Sequence, residues 1–473
     1  MAQEFLIGNN FTSSQTVKEI KNPYNNETVD EVYIASGTHF DESADYLKNI
    51  SLQYKRLPIY KKHELLSGIK EKIVQRKEHL AKMITLETGK PIKFSRIELE
   101  RAELTFRLGA EECTRTEGET IPLDLLRGSE GKTGIIRRFP LGVILGITPW
   151  NFPVNLVAHK VSPALASGNV IMLKPSSNSI LCGIEIGKIV WETAEETGLG
   201  FSPINVITLP GGEMDKYVSD PRINMISFTG SSDIGWEIKR KADRQRVSLE
   251  LGGNAGVIVD QDADISTAVS KIIIGGFSQA GQSCISVQRV YIHEKIYDTF
   301  KHKLLDEVKK VKFGNPFDDD ALSGPMITEA EAKRAESWIE EARQEGSKIL
   351  FGGTREGAVL APTVIENALD YTKVKCNEVF APVITLDKFT TFAEAVSNIN
   401  NSKFGLQAGV FTNDIRNIMY AYNNIETGGV IINEASAYRM DSMPYGGVKD
   451  SGNTREGVKY AMREMTEEKI LVI

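Results

Sequence analysis

The chain has 473 residues, of which 41% are hydrophobic and 25% charged, with a formal net charge of −7. That length fits two or three domains around a large core, and those fractions belong to an ordinary water-soluble globular protein. The acidic balance argues against a broad nucleic-acid surface, and no apolar run is long enough to span a bilayer.

Residues 1–5 lack the basic and apolar regions of a secretory signal. Residues 3–36 alternate short apolar segments with turn signals such as Gly8-Asn9-Asn10 and read as short strands. From 41 to 112 the pattern is helical, with apolar rows Tyr46/Ile50/Tyr54, Leu65/Ile69/Ile73 and Leu99/Leu104/Leu108. Residues 118–140 suggest two extended arms around Arg127-Gly128-Ser129-Glu130-Gly131. An isolated hairpin is marginal in water, so these arms are expected to pack on something, such as a second subunit.

From Gly142 the rhythm is strand, loop, helix, with apolar strands expected at 142–148, 169–173, 205–208, 224–228 and 255–259. A second alternating set follows at 290–293, 349–352, 383–388, 408–411 and 429–433, and the chain closes on a strand at 469–473. Continuous apolar strands alternating with helices predict an α/β fold of parallel sheets covered on both faces. Ligands bind such sheets at the carboxyl ends of the strands. Lys239-Arg240-Lys241 reads as a solvated helix face and Asp318-Asp319-Asp320 as a loop. Cys113, Cys182, Cys284 and Cys376 are scattered, with no Cys-x-x-Cys and no metal-like pairing with the six histidines. A reducing, cytoplasmic compartment and no metal site are expected.

The stretch Gly275 to Cys284 places one cysteine after small and polar residues, beyond a helix-like run at 265–274 and before a strand. Free cysteine is usually a small buried hydrophobe. The segment Val247-Ser248-Leu249-Glu250-Leu251-Gly252-Gly253-Asn254 changes the weighting: a strand ends in a carboxylate, and paired glycines turn the backbone. A thiol and a carboxylate together are the parts of covalent catalysis with water as second substrate. Phe228-Thr229-Gly230-Ser231 ends a strand and opens a helix at 236–243. That turn suits a pyrophosphate, or is simply a serine-capped helix start; it is not a Gly-x-Gly-x-x-Gly fingerprint. Lys174-Pro175-Ser176-Ser177, at another strand end, suits ribose or phosphate, or is solvated. Asn151, in Thr148-Pro149-Trp150-Asn151-Phe152-Pro153, is either a turn residue or an amide donor to an oxyanion.

Leu249-Glu250-Leu251-Gly252-Gly253 and Gly281-Gln282-Ser283-Cys284 resemble the two signature regions of the NAD(P)-dependent aldehyde dehydrogenases, and further matches run from about Asn22 to the C-terminus. The resemblance implies a Rossmann-like cofactor domain (1–117 and 141–251), an α/β catalytic domain (252–450) and oligomerisation arms (118–140 and 451–473) that make a homodimer or homotetramer. It implies Cys284 as nucleophile, Glu250 as general base for thioester hydrolysis, and Asn151 with the Cys284 N–H as oxyanion donors. It implies a cofactor site at Thr148, Pro149, Trp150, Lys174, Ser176, Ser177, Gly211, Thr229, Gly230, Ser231, Leu251, Gly252, Glu378 and Phe380. NAD-preferring members often carry glutamate where this chain has Ser177. That exchange removes a repulsive charge, so NADP joins NAD as an expected cofactor.

For the substrate, Arg107 and Arg439 match positions where members acting on phosphorylated or phosphonylated aldehydes hold the anion. Those members often have arginine before the cysteine, where this chain has Ser283. His159 either points to the same pocket or lies in the core or on a helix surface. An incomplete anion clamp, with a branch resemblance in Ser442-Met443-Pro444-Tyr445-Gly446-Gly447-Val448-Lys449 to lactaldehyde and non-phosphorylating glyceraldehyde-phosphate dehydrogenases, favours a small α-hydroxyaldehyde such as lactaldehyde. Glyceraldehyde 3-phosphate, phosphonoacetaldehyde, sulfolactaldehyde and succinic semialdehyde stay open. A coenzyme A-acylating enzyme or a non-catalytic protein of this fold are the other classes; Glu250 argues against the first, and Cys284, Glu250 and Asn151 together against the second.

Overall fold

The computed structural model of the protein describes residues 2–115 and 118–473. Met1 and the end of the expected 1–117 segment, Thr116 and Glu117, lie outside the described residues. Two seven-stranded sheets organise the rest. In the first, the order is Arg246–Leu251, Met225–Gly230, Val143–Ile147, Val170–Lys174 and Ile204–Val206, all parallel. Phe5–Ile7 then joins antiparallel, followed by Asn10–Thr12. The second sheet runs Lys348–Phe351, Thr363–Glu366, Val383–Phe389, Val287–His293, Ala255–Val259, Gln407–Phe411 and Gly429–Ile432. Its first strand is antiparallel and the rest are parallel. The central strands are buried along their whole length, which is why most read as apolar runs; Val287–His293 starts before the expected 290 because it also buries Gln288 and Arg289.

The α/β expectation therefore holds, with two additions the apolar runs do not announce. Thr363–Glu366 is a buried strand of mixed polarity, and Phe5–Ile7 extends the first sheet at its edge. Gly252, Gly253 and Asn254 alone carry the chain from the last strand of the first sheet into the middle of the second. A third, antiparallel sheet joins Gly118–Pro122, Thr133–Pro140 and Thr466–Val472, with Thr466 opposite Pro140 and Val472 opposite Gly134.

Four helices, Gly37–Lys55, Ile59–Gln75, Lys77–Thr88 and Ile92–Glu112, precede the first arm. The row Leu65/Ile69/Ile73 is buried as expected. The last row is buried only at Leu99: Leu104 and Leu108 are half-buried, and the helix also buries Ala102, Phe106 and Gly109. A Cβ at Gly109 would sit 2.1 Å from Ser162 Oγ. Small residues set the contact with Ser162, so Leu104 and Leu108 do not mark the inner face.

Candidate active site

The loop before Cys284 is built by an unusual backbone. Gln279, Ala280 and Gly281 have φ of 54°, 57° and 65° in succession. Two of them carry a Cβ, and such left-handed conformations persist only where surroundings enforce them. A Cβ on Gly281 would lie 2.2 Å from the Ala381 carbonyl oxygen, so that position needs glycine. Gln282 accepts from the Ile327 N–H (2.8 Å) on one side, and its carbonyl accepts from Asn151 Nδ2 (3.0 Å) on the other. Gln279 Nε2 donates back to the Asn151 carbonyl. Asn151 is thus held against the cysteine loop with its second amide hydrogen still to spend.

Glu250 lies opposite Thr229 in the parallel register. A Cβ on Gly253 would fall 2.4 Å from the Cys284 carbonyl oxygen, so the second glycine is what lets the cysteine loop approach the Glu250 strand. Glu250 is buried and its Oε1 has no partner. Burial, then the charge of Glu456, pushes its carboxyl up to about 8. Burial and Glu250 push the Cys284 thiol well up in turn, opposed by Tyr445 and Arg439. Tyr445 Oη lies 2.8 Å from Cys284 Sγ, and the Arg439 guanidinium lies 3.7 Å from the centre of the Tyr445 ring.

Behind these residues is a charge-matched cluster. Lys160 Nζ donates to Glu456 Oε1 (2.8 Å), as does Thr229 Oγ1 (3.2 Å), while Arg439 Nη2 donates to Glu456 Oε2 (2.9 Å). Burial alone would raise the Glu456 carboxyl, but Lys160 and Arg439 hold it well below the usual range. Asp441 receives Arg101 in a bidentate grip (3.0 and 2.8 Å), Asn155 Nδ2 (3.1 Å) and His159 Nε2 (2.8 Å). These donors more than offset burial and keep Asp441 ionised. Burial and Arg439 lower His159, whose Nε2 lies between Asp441 Oδ1 (2.8 Å) and Arg439 Nη2 (3.2 Å).

Of the residues expected to meet substrate, Arg439 and His159 are brought into this cluster, and Ser283 lies in the cysteine loop. Arg107 is not brought there. It is exposed, 3.8 Å from Glu111, and the arginine of that helix which enters the cluster is Arg101. The reason is helical phase: Arg101 and Thr105 are four residues apart on one face, whereas Arg107 follows Thr105 by about 200°. Thr105 bonds Asn155 (3.1 Å), so that face looks inward. Lys160, Tyr445, Asp441 and Glu456 carry no local pattern that singles them out; only the phase of Arg101 was readable.

On the cofactor side, Trp150 meets Phe380 edge-on at 5.7 Å, and Thr148 Oγ1 is buried without a partner. Ser231 caps the helix Ser232–Lys241 but makes no side-chain cap bond, which leaves its hydroxyl and the first N–H groups for a ligand. A Cβ on Gly252 would strike the Glu378 carboxylate at 2.2 Å, and Glu378 Oε1 accepts from the Gly253 N–H (2.9 Å). Burial raises Glu378 to about 7. Lys174 is buried at its strand end, and burial with nearby Lys18 lowers it to about 8. Lys18 Nζ donates to the Ser177 carbonyl (2.6 Å) beside a cavity of about 490 Å³. Ser176 Oγ accepts from the Asn178 N–H (3.3 Å), and Gly211 opens a short turn of helix with space around it. Thr229 points into the acid cluster, while Gly230 and Leu251 pair in register at the strand ends. The orphaned Thr148 hydroxyl, the uncapped helix start and the cationic turn fit a dinucleotide.

The sequence pattern of the aldehyde dehydrogenase family matches residues 11–471, and the chain belongs to that family. It is an oxidoreductase acting on aldehydes. Among similar proteins is the 3-sulfolactaldehyde dehydrogenase of Priestia aryabhattai, 42% identical over 460 residues (96% of this chain, 94% of that one). The lactaldehyde dehydrogenase of Methanocaldococcus jannaschii is 40% identical over 457 residues (96% and 97%). Among solved structures, aldehyde dehydrogenase 21 of Physcomitrella patens with its product succinate superposes with a TM-score of 0.97 at 40% identity (100% and 98% covered). The glyceraldehyde-3-phosphate dehydrogenase GapN of Methanocaldococcus jannaschii with NADP gives 0.93 at 39% (97% and 100%).

Proposed function

We propose that the chain oxidises a small α-hydroxyaldehyde of the lactaldehyde kind to its carboxylic acid, with NAD or NADP. The observation that carries this choice is the internal charge balance: both arginines of the cluster are committed, Arg101 to Asp441 and Arg439 to Glu456. A dianionic phosphate would have to compete with buried carboxylates for the same guanidinium groups. A hydroxyl needs only one hydrogen bond. A second reading has one observation in its favour: Arg439 Nε is buried with no hydrogen-bond partner, a donor available to a sulfonate or carboxylate. Comparing kcat/KM for lactaldehyde, sulfolactaldehyde, succinic semialdehyde and glyceraldehyde 3-phosphate tests the choice; a preference of more than tenfold for any anionic aldehyde overturns it.

In the proposed chemistry the Cys284 thiolate adds to the aldehyde carbon, and Asn151 Nδ2 with the Cys284 N–H stabilises the oxygen that becomes negative. A bound NAD(P) would supply the hydride acceptor. Thr148, Pro149, Trp150 and Phe380 would flank that ring, Lys174, Ser176, Ser177 and Glu378 the riboses, and Gly211, Gly230, Ser231, Leu251 and Gly252 the pyrophosphate and backbone approach. A thioester on Cys284 is then left. Glu250 takes a proton from water as the hydroxyl adds to the thioester carbon, and the thiolate departs. With its carboxyl at about 8, Glu250 is roughly one-tenth ionised at pH 7, so hydrolysis is expected to quicken with pH between 7 and 9.

The same reading keeps the expected domains, 1–117 with 141–251 for the cofactor and 252–450 for catalysis, and a homodimer or homotetramer through 118–140 and 451–473. Ile470, Leu471, Val472 and Ile473, all exposed at the end of the chain, support a subunit contact there. Among the described residues no helix is long and apolar enough to cross a membrane.

A further inference from the structure

The Cys284 thiol has a difficulty that the roles above do not remove. Cys284 is half-buried, and the desolvation of its sulfur and the charge of Glu250 both disfavour a negative sulfur. It does not sit at the start of a helix, and no lysine or histidine bonds it among the described residues. Tyr445 Oη lies 2.8 Å from Cys284 Sγ, within hydrogen-bonding distance of the sulfur. We propose that the Tyr445 hydroxyl is a catalytic hydrogen-bond donor that holds the Cys284 sulfur as a thiolate, with the Arg439 guanidinium on the face of its ring strengthening the donor. This rests on Cys284 being the nucleophile.

Three features make the arrangement a built one. Tyr445 is fully buried, so its hydroxyl does not drift to water. Its backbone forms an isolated antiparallel bridge with Glu456: the Tyr445 N–H donates to the Glu456 carbonyl (3.1 Å), and the Glu456 N–H donates back. The Glu456 side chain in turn grips Arg439 Nη2 (2.9 Å), and that guanidinium lies 3.7 Å from the ring centre. One two-residue bridge therefore fixes the ring, the cation on its face and the anion that positions the cation. A cation against a ring draws electron density from it, which makes the phenol a better donor.

The direction of the bond follows from the charge. A thiol is a weak donor and a thiolate can only accept, whereas a phenol donates readily. When Cys284 ionises, the S–H bond breaks and its proton leaves to water or to the ionised fraction of Glu250. Tyr445 keeps its own proton throughout and turns it to the sulfur. Once the sulfur has bonded to the aldehyde carbon it is a poorer acceptor, and the same hydroxyl again favours the sulfur as leaving group when the thioester is hydrolysed. The donor thus helps at the two moments when sulfur carries charge.

The test is the pH dependence of alkylation of Cys284 by iodoacetamide in the full chain without substrate, read by mass spectrometry of the Cys284 peptide. Phenylalanine keeps the ring under Arg439 and removes only the hydroxyl. Tyr445→Phe is expected to move the midpoint of Cys284 alkylation up by about one to two pH units, and to slow alkylation at pH 7 by about 10- to 100-fold. The opposite change, 3-fluorotyrosine at position 445, makes a more acidic phenol and is expected to move the midpoint down, which keeps the test open should Tyr445→Phe fold poorly. Midpoints unchanged from wild type in both variants would overturn the proposal. Cys284→Ala separates the two failures: full turnover in that variant would refute the covalent reading itself, whereas a dead Cys284→Ala with unmoved Tyr445 midpoints would refute only the role of Tyr445.

Discussion

Two buried carboxylates, Glu250 and Glu456, feel each other's charge and have opposite fates. Glu456 faces Lys160 and Arg439, each within 2.9 Å, and stays ionised despite full burial. Glu250 has Oε1 unpartnered, feels Glu456 as a like charge, and rises to about 8. The same residue type in one cavity becomes a fixed anion or a titrating base according to which cations reach it. Arg439 and Lys160 do lower Glu250, but more weakly than burial and Glu456 raise it. The matched side holds geometry, and the unmatched side is where a proton can move.

The comparison breaks most completely at the sulfur that Glu250 is proposed to serve. Cys284→Ala is expected to lose turnover by on the order of 10⁴-fold or more, while Cys113, Cys182 and Cys376 tolerate replacement; dehydrogenase assays on the four variants check it. On the matched side, Lys160→Met removes one cation from Glu456. Breaking a buried pair in this way typically costs about 3–5 kcal/mol of stability, which denaturant unfolding would read. The variant also strips Glu250 of a cation that lowers it, so the rising limb of its pH–rate profile is expected to shift to higher pH.

A smaller effect tests the cofactor turn, where the charge logic is the same. Ser177→Glu would set a carboxylate near Lys174 and Lys18. It is expected to shift the kcat/KM ratio toward NAD by about tenfold, by accepting ribose hydroxyls and repelling a 2′-phosphate. Equal ratios in wild type and variant would remove Ser177 from cofactor selection. A further effect is on the pH dependence of stability. A carboxyl raised from 4.5 to about 8 retains in the folded chain a proton that the unfolded chain has released. Stability from this group is therefore lost as pH climbs from 4.5 toward 8. Glu250→Gln removes that slope, so its melting temperature is expected to gain on wild type between pH 5 and pH 8.

Much of the fold was legible because most central strands of these parallel sheets are apolar; Ala255–Val259 begins and ends at the expected residues. Thr363–Glu366 escaped because a buried Thr and Glu interrupt the pattern. The loop of Cys284 and the glycines after Glu250 were legible as local signals, and the Gly253 contact gives those glycines a physical reason. What surrounds them was not. Tyr445 is 161 residues from Cys284, and Asp441 is 282 from His159. Such pairings are made by the meeting of two sheets and leave no spacing in the chain. Arg101 and Arg107 were distinguishable in principle, since Thr105 shares a face with the first and not the second. Reading the helix from its leucines hid this, because its contact with the next helix is made through Gly109 and Ser162.

The most direct test of the account is rapid mixing of Glu250→Gln with a lactaldehyde-type substrate and NAD(P), following reduced nicotinamide. A base that acts only on the thioester leaves hydride transfer intact. The account therefore predicts a burst roughly equal to the enzyme sites, then a steady rate lowered by about 10²- to 10⁴-fold. A steady rate equal to wild type, or a loss of the burst together with the steady rate, would contradict it.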